Sequence, residues 1–429
     1  MIASACWFSP APSEVSSSRI SLDFGLRSAD FFFRDLVVPE LGRIWFVRQL
    51  SWPLASLALH EAIQSQGSNA PKPTAICHGI EALACKLEYQ VDPQGPFERI
   101  LGSRAFGHDD ESLVRSFRQL SRPSNYVRNT HRQAATRALR KDGGLGFATG
   151  ARFDLLELEP VGRSLAETFL DQRVGKGRTS LRKWLLGWLR DEQELPSWSD
   201  TLLGALSPKH PSAGERELVR SRVLDTSTAK CETRQHLASA IGRAADLPDI
   251  KGVVVPRLRE AGHRRQADEV IAALAFGAVL DRARDATAEL TRSVGPGNGV
   301  PVATLARDAA LRKAFAALRA ASKNFSSKVS TAGITESTTR AFAEALLSAD
   351  DDLKAIRLLV GRVPQVLCLS DDSVIRGALF RVVDKTESLE GLEEGAASIE
   401  PDRTVRTGRT FRIANLHSLL RDVGQRGAA

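Results

Sequence analysis

Cysteine is sparse in this 429-residue chain, and its five positions do not form a pairing pattern. Cys6, Cys77, Cys85, Cys231 and Cys368 are an odd, scattered set, which argues against a disulfide framework and for a reducing compartment. Long apolar runs are also missing. Ile44 to Leu59 is interrupted by Arg48, Gln49 and Pro53, and Val270 to Leu280 spans only eleven residues. A bilayer crossing needs roughly 20. Both runs are expected to be buried helices, and no membrane contact is expected. The first residues, MIASACWFSPAPSEVSSSR, lack a basic start and a sustained apolar core, so no secretory signal is expected and the location is read as cytoplasmic. Global disorder is excluded by 42% hydrophobic against 26% charged residues.

Strand-like alternation is equally scarce. Apolar residues recur at three- and four-residue spacing in RKWLLGWLRDEQ from Arg182 and in TLARDAALRKAFAALRAASKNF from Thr304. The fold class is therefore mainly α, in a multidomain chain, since domains run to about 100–200 residues each. Val253–Val255 and Gln365–Leu369 are the short strand candidates. Glycine and proline clusters, above all GPGNGVP at Gly295–Pro301, mark breaks. The expected division is an N-terminal helical region (1–105), a unit over 106–172, a central helical domain (173–294) and a C-terminal helical region (301–429). The last contains an acidic stretch at 384–402, with seven acidic residues and one lysine, and then Phe411–Val423, which has the spacing of a closing helix.

Motifs for familiar chemistry are incomplete. His60–Glu61 has no histidine at position 64, so the two-histidine zinc-protease pattern fails. Cys77, His78 and Cys85 lack a second ligand pair and are expected in the core. GKGRTS at Gly175–Ser180 lacks the earlier glycine and the preceding strand of a phosphate loop, and GPGNG at Gly295 follows a helix, not a strand. No metal, cofactor or catalytic residue is expected. The alternative is a divergent metal-dependent nuclease with carboxylates gathered from distant positions.

The net charge of +8 is matched by one segment alone. Ser112–Lys141 contains eight basic residues and no acidic one. Leu113, Val114, Phe117 and Leu120 give a first helix its inner face, Pro123 and Ser124 mark a boundary, and a second helix is expected over Asn125–Lys141. On it Val127, His131, Ala134 and Ala138 form an apolar stripe. Two rows oppose the stripe: Arg128, Arg132, Thr136 and Arg140, then Asn129, Gln133, Arg137 and Lys141. Arginine pairs with guanine edges and glutamine with adenine edges, whereas lysine and terminal arginines suit phosphates. Such a helix pair reads as helix-turn-helix.

A glycine-rich run, GGLGFATGAR, follows, then a returning strand from Phe153 and a helix from Pro160 on which Val161, Leu165 and Phe169 share a face. Helix, turn, helix, hairpin and final helix is the order of a winged-helix unit. ELEPVGRSLAETF resembles the strand-to-helix stretch of bacterial winged-helix regulators, with Glu159 in place of their threonine cap. The resemblance covers about 60 of the 429 residues. It implies an embedded winged helix-turn-helix unit near 106–172.

A second basic stretch, Arg173–Arg190, places Lys176 and Arg178 on a glycine-freed loop able to approach phosphates; Trp184 and Trp188, one turn apart, are expected to pack in a core. The expected function is non-enzymatic binding of nucleic acid, DNA in preference to RNA, by a scaffold or adaptor subunit of a bacterial complex. Phage defence and chromosome maintenance are the settings that fold-level analogy offers. Further protein partners are expected, and a protein-only interaction platform is the other alternative.

Overall fold

The computed structural model describes residues 22–92, 99–103, 106, 116–175, 179–190, 200–295, 299–349, 351–378 and 410–424. Seventeen α-helices dominate these residues. The first are α1 (Arg27–Val37), α2 (Arg48–Gln64), α3 (Pro73–Val91), α4 (Phe117–Leu120) and α5 (His131–Leu139). A hairpin of β1 (Ala148–Thr149) and β2 (Glu157–Leu158) leads to α6 (Pro160–Leu170), and β3 (Arg173–Val174) pairs with β4 (Thr179–Ser180). Then come α7 (Leu181–Leu189), α8 (Asp200–Leu206), α9 (Ala213–Leu224), α10 (Ala229–Ile241), α11 (Val255–Glu260) and α12 (Arg264–Val294). The remainder is β5 (Val300–Pro301), α13 (Val302–Leu305), α14 (Ala309–Ala332), α15 (Ser337–Ser348), α16 (Asp352–Gly361), β6 (Leu367–Ser370), β7 (Ser373–Arg376) and α17 (Ile413–Gly424).

The chain divides into two compact units. The larger comprises Leu26–Val279, Arg319–Leu347 and Ser398–Ala429. Its centre is α2, whose residues from Arg48 to Leu59 are all buried and which packs on α3, α5 and α6. Arg48 lies wholly inside. Its Nε stands 3.0 Å from Glu215 Oε1, and its Nη2 donates to His210 O at 2.9 Å and Gln172 Oε1 at 3.2 Å. Its guanidinium also lies over the Phe169 ring, so one buried cation ties α2 to α6 and α9. Glu215 meanwhile closes the capping box of α9 with Ser212. On α6, Leu165 and Phe169 are fully buried, as their shared face requires. Trp184 and Trp188 stack at 6.0 Å and are buried, with Phe117 of α4 edge-on to Trp188. Of the Phe411–Val423 segment, the residues from Ile413 onward lie in α17, with Ile413, Leu416 and Leu419 buried.

The smaller unit comprises Met1–Gly25, Leu280–Leu318 and Ser348–Ala397. Here α13 packs on α16, α16 runs into the β6–β7 hairpin, and β5 joins the β7 side, giving the antiparallel order β5-β7-β6. The Asp351 side chain caps α16 by accepting from Lys354 N at 2.7 Å. Of the glycine-rich break, Val300–Pro301 is a sheet strand.

Three expectations are corrected. The strand expected from Phe153 is confined to Glu157–Leu158, because Phe153–Leu155 forms a 3-10 turn. Val253–Val255 is not a strand: residues 250–254 form a π-helical turn that continues into α11. The β-branched run is overruled because Asp249 O accepts from both Val253 N and Val254 N, while the Asp249 side chain takes Lys251 N. The helix expected over Asn125–Lys141 is confined to His131–Leu139. Pro123–Asn125 is a short 3-10 turn, Thr130 is the N-cap, and Arg140 is extended because Lys141 N pairs with Ala148 O at 2.8 Å. Ser124 therefore caps no α-helix, and Val127 lies ahead of α5 rather than on its apolar stripe.

Candidate nucleic-acid interface

Helix α5 is seated by polar groups buried beneath it. Glu81 of α3 is fully buried and accepts from the first two amides of α5, His131 N at 2.9 Å and Arg132 N at 2.6 Å. These are the donors that a helix start leaves unsatisfied. Burial raises the Glu81 pKa to about 7 against the pull of those two amides. His131, also fully buried, lies between the Gln49 side-chain amide (3.2 Å from Nδ1) and Arg99 O (3.2 Å from Nε2). A carbonyl there requires a proton on Nε2, so Nδ1 accepts from Gln49 and the ring is neutral. Burial drives its pKa down to about 3, in agreement. Gln49 uses its own oxygen for Trp45 N at 2.7 Å. The small Ala134 and Ala138 face Gly42, where a side chain would meet Ala138 at 3.2 Å. Arg43 N donates to Ala134 O at 3.3 Å. Close seating on one face thus follows from the alanine stripe.

The opposite face is divided. Gln133 is exposed on α5, and Arg128 is exposed just ahead of it. Arg137 is 43% exposed but ion-paired with Asp35 of α1 at 3.1 Å. Lys141, 62% exposed, pairs with Glu159 at 3.1 Å. Glu159, expected at the cap of α6, makes no cap hydrogen bond and accepts from Thr149 and Lys141 instead, which lowers its pKa. Arg140 is half-buried. Arg132 turns inward, its guanidinium 5.0 Å from the Phe153 ring centre, and its Nε has no hydrogen-bond partner. Arg115, Lys176 and Arg178 lie outside the described residues. Of the basic residues between Ser112 and Lys141, the exposed ones engaged in no ion pair among the described residues are Arg118, Arg122 and Arg128. The acids that pair with Arg137 and Lys141, Asp35 and Glu159, come from outside the segment and carry no local signal in its sequence. The hairpin beside α5 adds exposed Arg152 and Leu155, the latter 69% exposed.

The thiols behave as core groups. Cys77 and Cys85 are fully buried, and burial raises both pKa values, that of Cys85 to about 12, so neither is primed as a nucleophile. Among the described residues no three histidine, cysteine or acidic side chains gather at metal-binding spacing. No helix there is long and apolar enough to cross a membrane. Comparison with protein-family models, with curated proteins and with solved structures finds no match.

Proposed function

We propose that the chain is a non-enzymatic, nucleic-acid-binding scaffold or adaptor that prefers DNA, contacting it through residues 116–159 as a winged helix-turn-helix would. The observation that carries this reading is the exposed edge formed by Arg128, Gln133, Arg137 and Lys141 around a helix whose other face is fully seated. Glu81 already fills the N-terminus of α5, so contact is made by the flank and C-terminal end of the helix, not by its first amides. The smaller unit also has a hairpin that follows a helix, α16 and then β6–β7. Its hairpin turn, however, holds Asp371 and Asp372, and Asp372 takes Arg357, so charge favours residues 116–159. Leu155, exposed at the other hairpin, favours a second reading in which that wing docks a protein.

The test is binding of duplex DNA, single-stranded DNA and RNA across a salt series by the full chain and by Arg128→Ala/Gln133→Ala/Lys141→Ala. The variant should bind more weakly, with a salt slope flatter by about 0.9 for each duplex phosphate that it no longer neutralises. A folded variant with unchanged affinity and slope removes this face from nucleic-acid binding.

A further inference from the structure

Helices α1 and α10 border an open groove of about 840 Å³, of which the duplex reading uses only Arg137. On its α1 wall stand Phe31 and Phe32, the latter 40% exposed. Asp35 and Arg137 also line it. Asp35 Oδ2 takes Arg137 Nη2 at 3.1 Å, and Asp35 Oδ1 lies 3.6 Å from Nη1 of Arg412, too far for a hydrogen bond. Arg412 is only 2% exposed, and its Nε and Nη1 have no hydrogen-bond partner. It is held there by two successive residues in the left-handed region, Phe411 (φ 47°) and Arg412 (φ 68°), a conformation that costs free energy for side chains of this size. Burial first, and then the nearby Arg34, Arg137 and Arg43, lower its pKa to about 10 despite Asp35. Arg34 has Asp30 at 2.9 Å as its own partner. The buried Arg412 guanidinium shares Asp35 with Arg137 and is short of negative charge.

We propose that this cluster binds the phosphate of a nucleotide whose base lies against Phe31 and Phe32 in the groove. Guanidinium groups match phosphate oxygens in charge and geometry, and an exposed aromatic ring accepts any base by stacking. Asp35 partly neutralises the cluster when it is empty and competes with the ligand for Arg137, while the buried Arg412, which does not line the groove, adds its positive charge from behind Asp35. This site goes beyond the duplex-binding reading and does not depend on it, since Arg128, Gln133 and Lys141 do not line the groove.

The probes are inorganic phosphate, adenosine 5′-monophosphate and a short single-stranded oligonucleotide, titrated into the full chain by calorimetry, with thermal unfolding against sodium chloride of matched ionic strength. Phosphate should raise the midpoint above the salt control, and the mononucleotide should bind more tightly than phosphate. Arg137→Ala should weaken both by roughly ten- to a hundredfold. Phe32→Ala should weaken the mononucleotide alone, and Asp35→Asn should tighten phosphate. Binding of the oligonucleotide more tightly than the mononucleotide, lost in Arg137→Ala and kept in Arg128→Ala/Lys141→Ala, supports the site and assigns its phosphate to a strand. Arg128→Ala/Lys141→Ala should leave mononucleotide binding intact, which separates this site from the duplex face. No phosphate-specific effect in the wild type, or one unchanged in Arg137→Ala, overturns the proposal. A mononucleotide no tighter than phosphate overturns its aromatic half. Should Asp35→Asn fail to fold, wild type and Arg137→Ala decide the matter.

Discussion

Glu81→Gln should make the protein markedly more sensitive to acid, although it removes a carboxylate. Glu81 titrates near pH 7 in the folded chain against an ordinary value of 4.5, so the folded state binds its proton more tightly. Its contribution is fully present below pH 4.5 and disappears as pH rises through 7. Between pH 7.5 and pH 5 that linkage adds about 2 kcal/mol of stability. His131 works in the opposite direction, with a folded pKa of about 3 against 6.5. Over the same interval it removes about 2 kcal/mol, because the unfolded chain takes up the proton that the buried ring refuses. The two groups therefore nearly cancel in the wild type. His78, held down to about 4 by burial and then by Arg132, adds to the histidine side. With glutamine at 81 the compensation is gone, and the loss on going to pH 5 should exceed that of the wild type by about 2 kcal/mol. At pH 7.5 the variant should already be weaker by about 1–3 kcal/mol, since one amide oxygen cannot accept from both His131 N and Arg132 N. Urea unfolding at the two pH values reads both effects through tryptophan fluorescence, and Trp52 lies 5.9 Å from His131. Equal acid losses in the two proteins would refute the assignment of a raised pKa to Glu81.

Two further outcomes test the packing. Arg48→Ala leaves Glu215 charged and buried without its partner and should cost about 3–5 kcal/mol, whereas Arg48→Met/Glu215→Leu should recover most of that, as measured by chemical denaturation. Gly162→Ala drives a methyl group into Phe147 O, the acceptor of Glu159 N, so α6 and the hairpin must part. A loss of about 1–3 kcal/mol and faster amide exchange at Glu159 are expected, and unchanged exchange there would contradict the tight seating.

What could be read from the sequence was local. Three- and four-residue apolar spacing was enough to place α6, α7 and α17 and to bury Trp184, Trp188, Cys77 and Cys85. The alanines at 134 and 138 marked the seated face of α5. Helix limits were less accessible, because they depend on distant partners: α5 begins where Glu81, some fifty residues earlier, meets its amides, and it ends where Lys141 pairs with Ala148. The Arg48–Glu215 pair leaves no trace in local pattern either, since an arginine inside an apolar helix simply looks like an interruption. Local charge misled most. A run of eight basic residues without an acid reads as one positive surface, but folding brings Asp35 to Arg137 and Glu159 to Lys141 and turns Arg132 onto Phe153.

That redistribution sets the size of the electrostatic signal. If every basic residue of Ser112–Lys141 met a duplex phosphate, the salt slope would be about 7, at roughly 0.9 for each of the eight. Arg137 and Lys141 already hold carboxylates, so a phosphate there replaces an internal ion pair and releases less counterion than a bare cation would. Arg132 and Arg140 are half-buried. Arg118, Arg122 and Arg128 remain as exposed residues outside any ion pair among the described residues, and these three on phosphates give a slope of about 3. Replacing Glu159 with glutamine frees Lys141 and should steepen the slope by just under about 0.9, without adding a positive residue. A slope near 7 in the wild type would mean that the internal pairs open on binding. A slope near zero would leave the exposed arginines with no phosphate to neutralise, and Leu155 with its hairpin would then define the interaction surface.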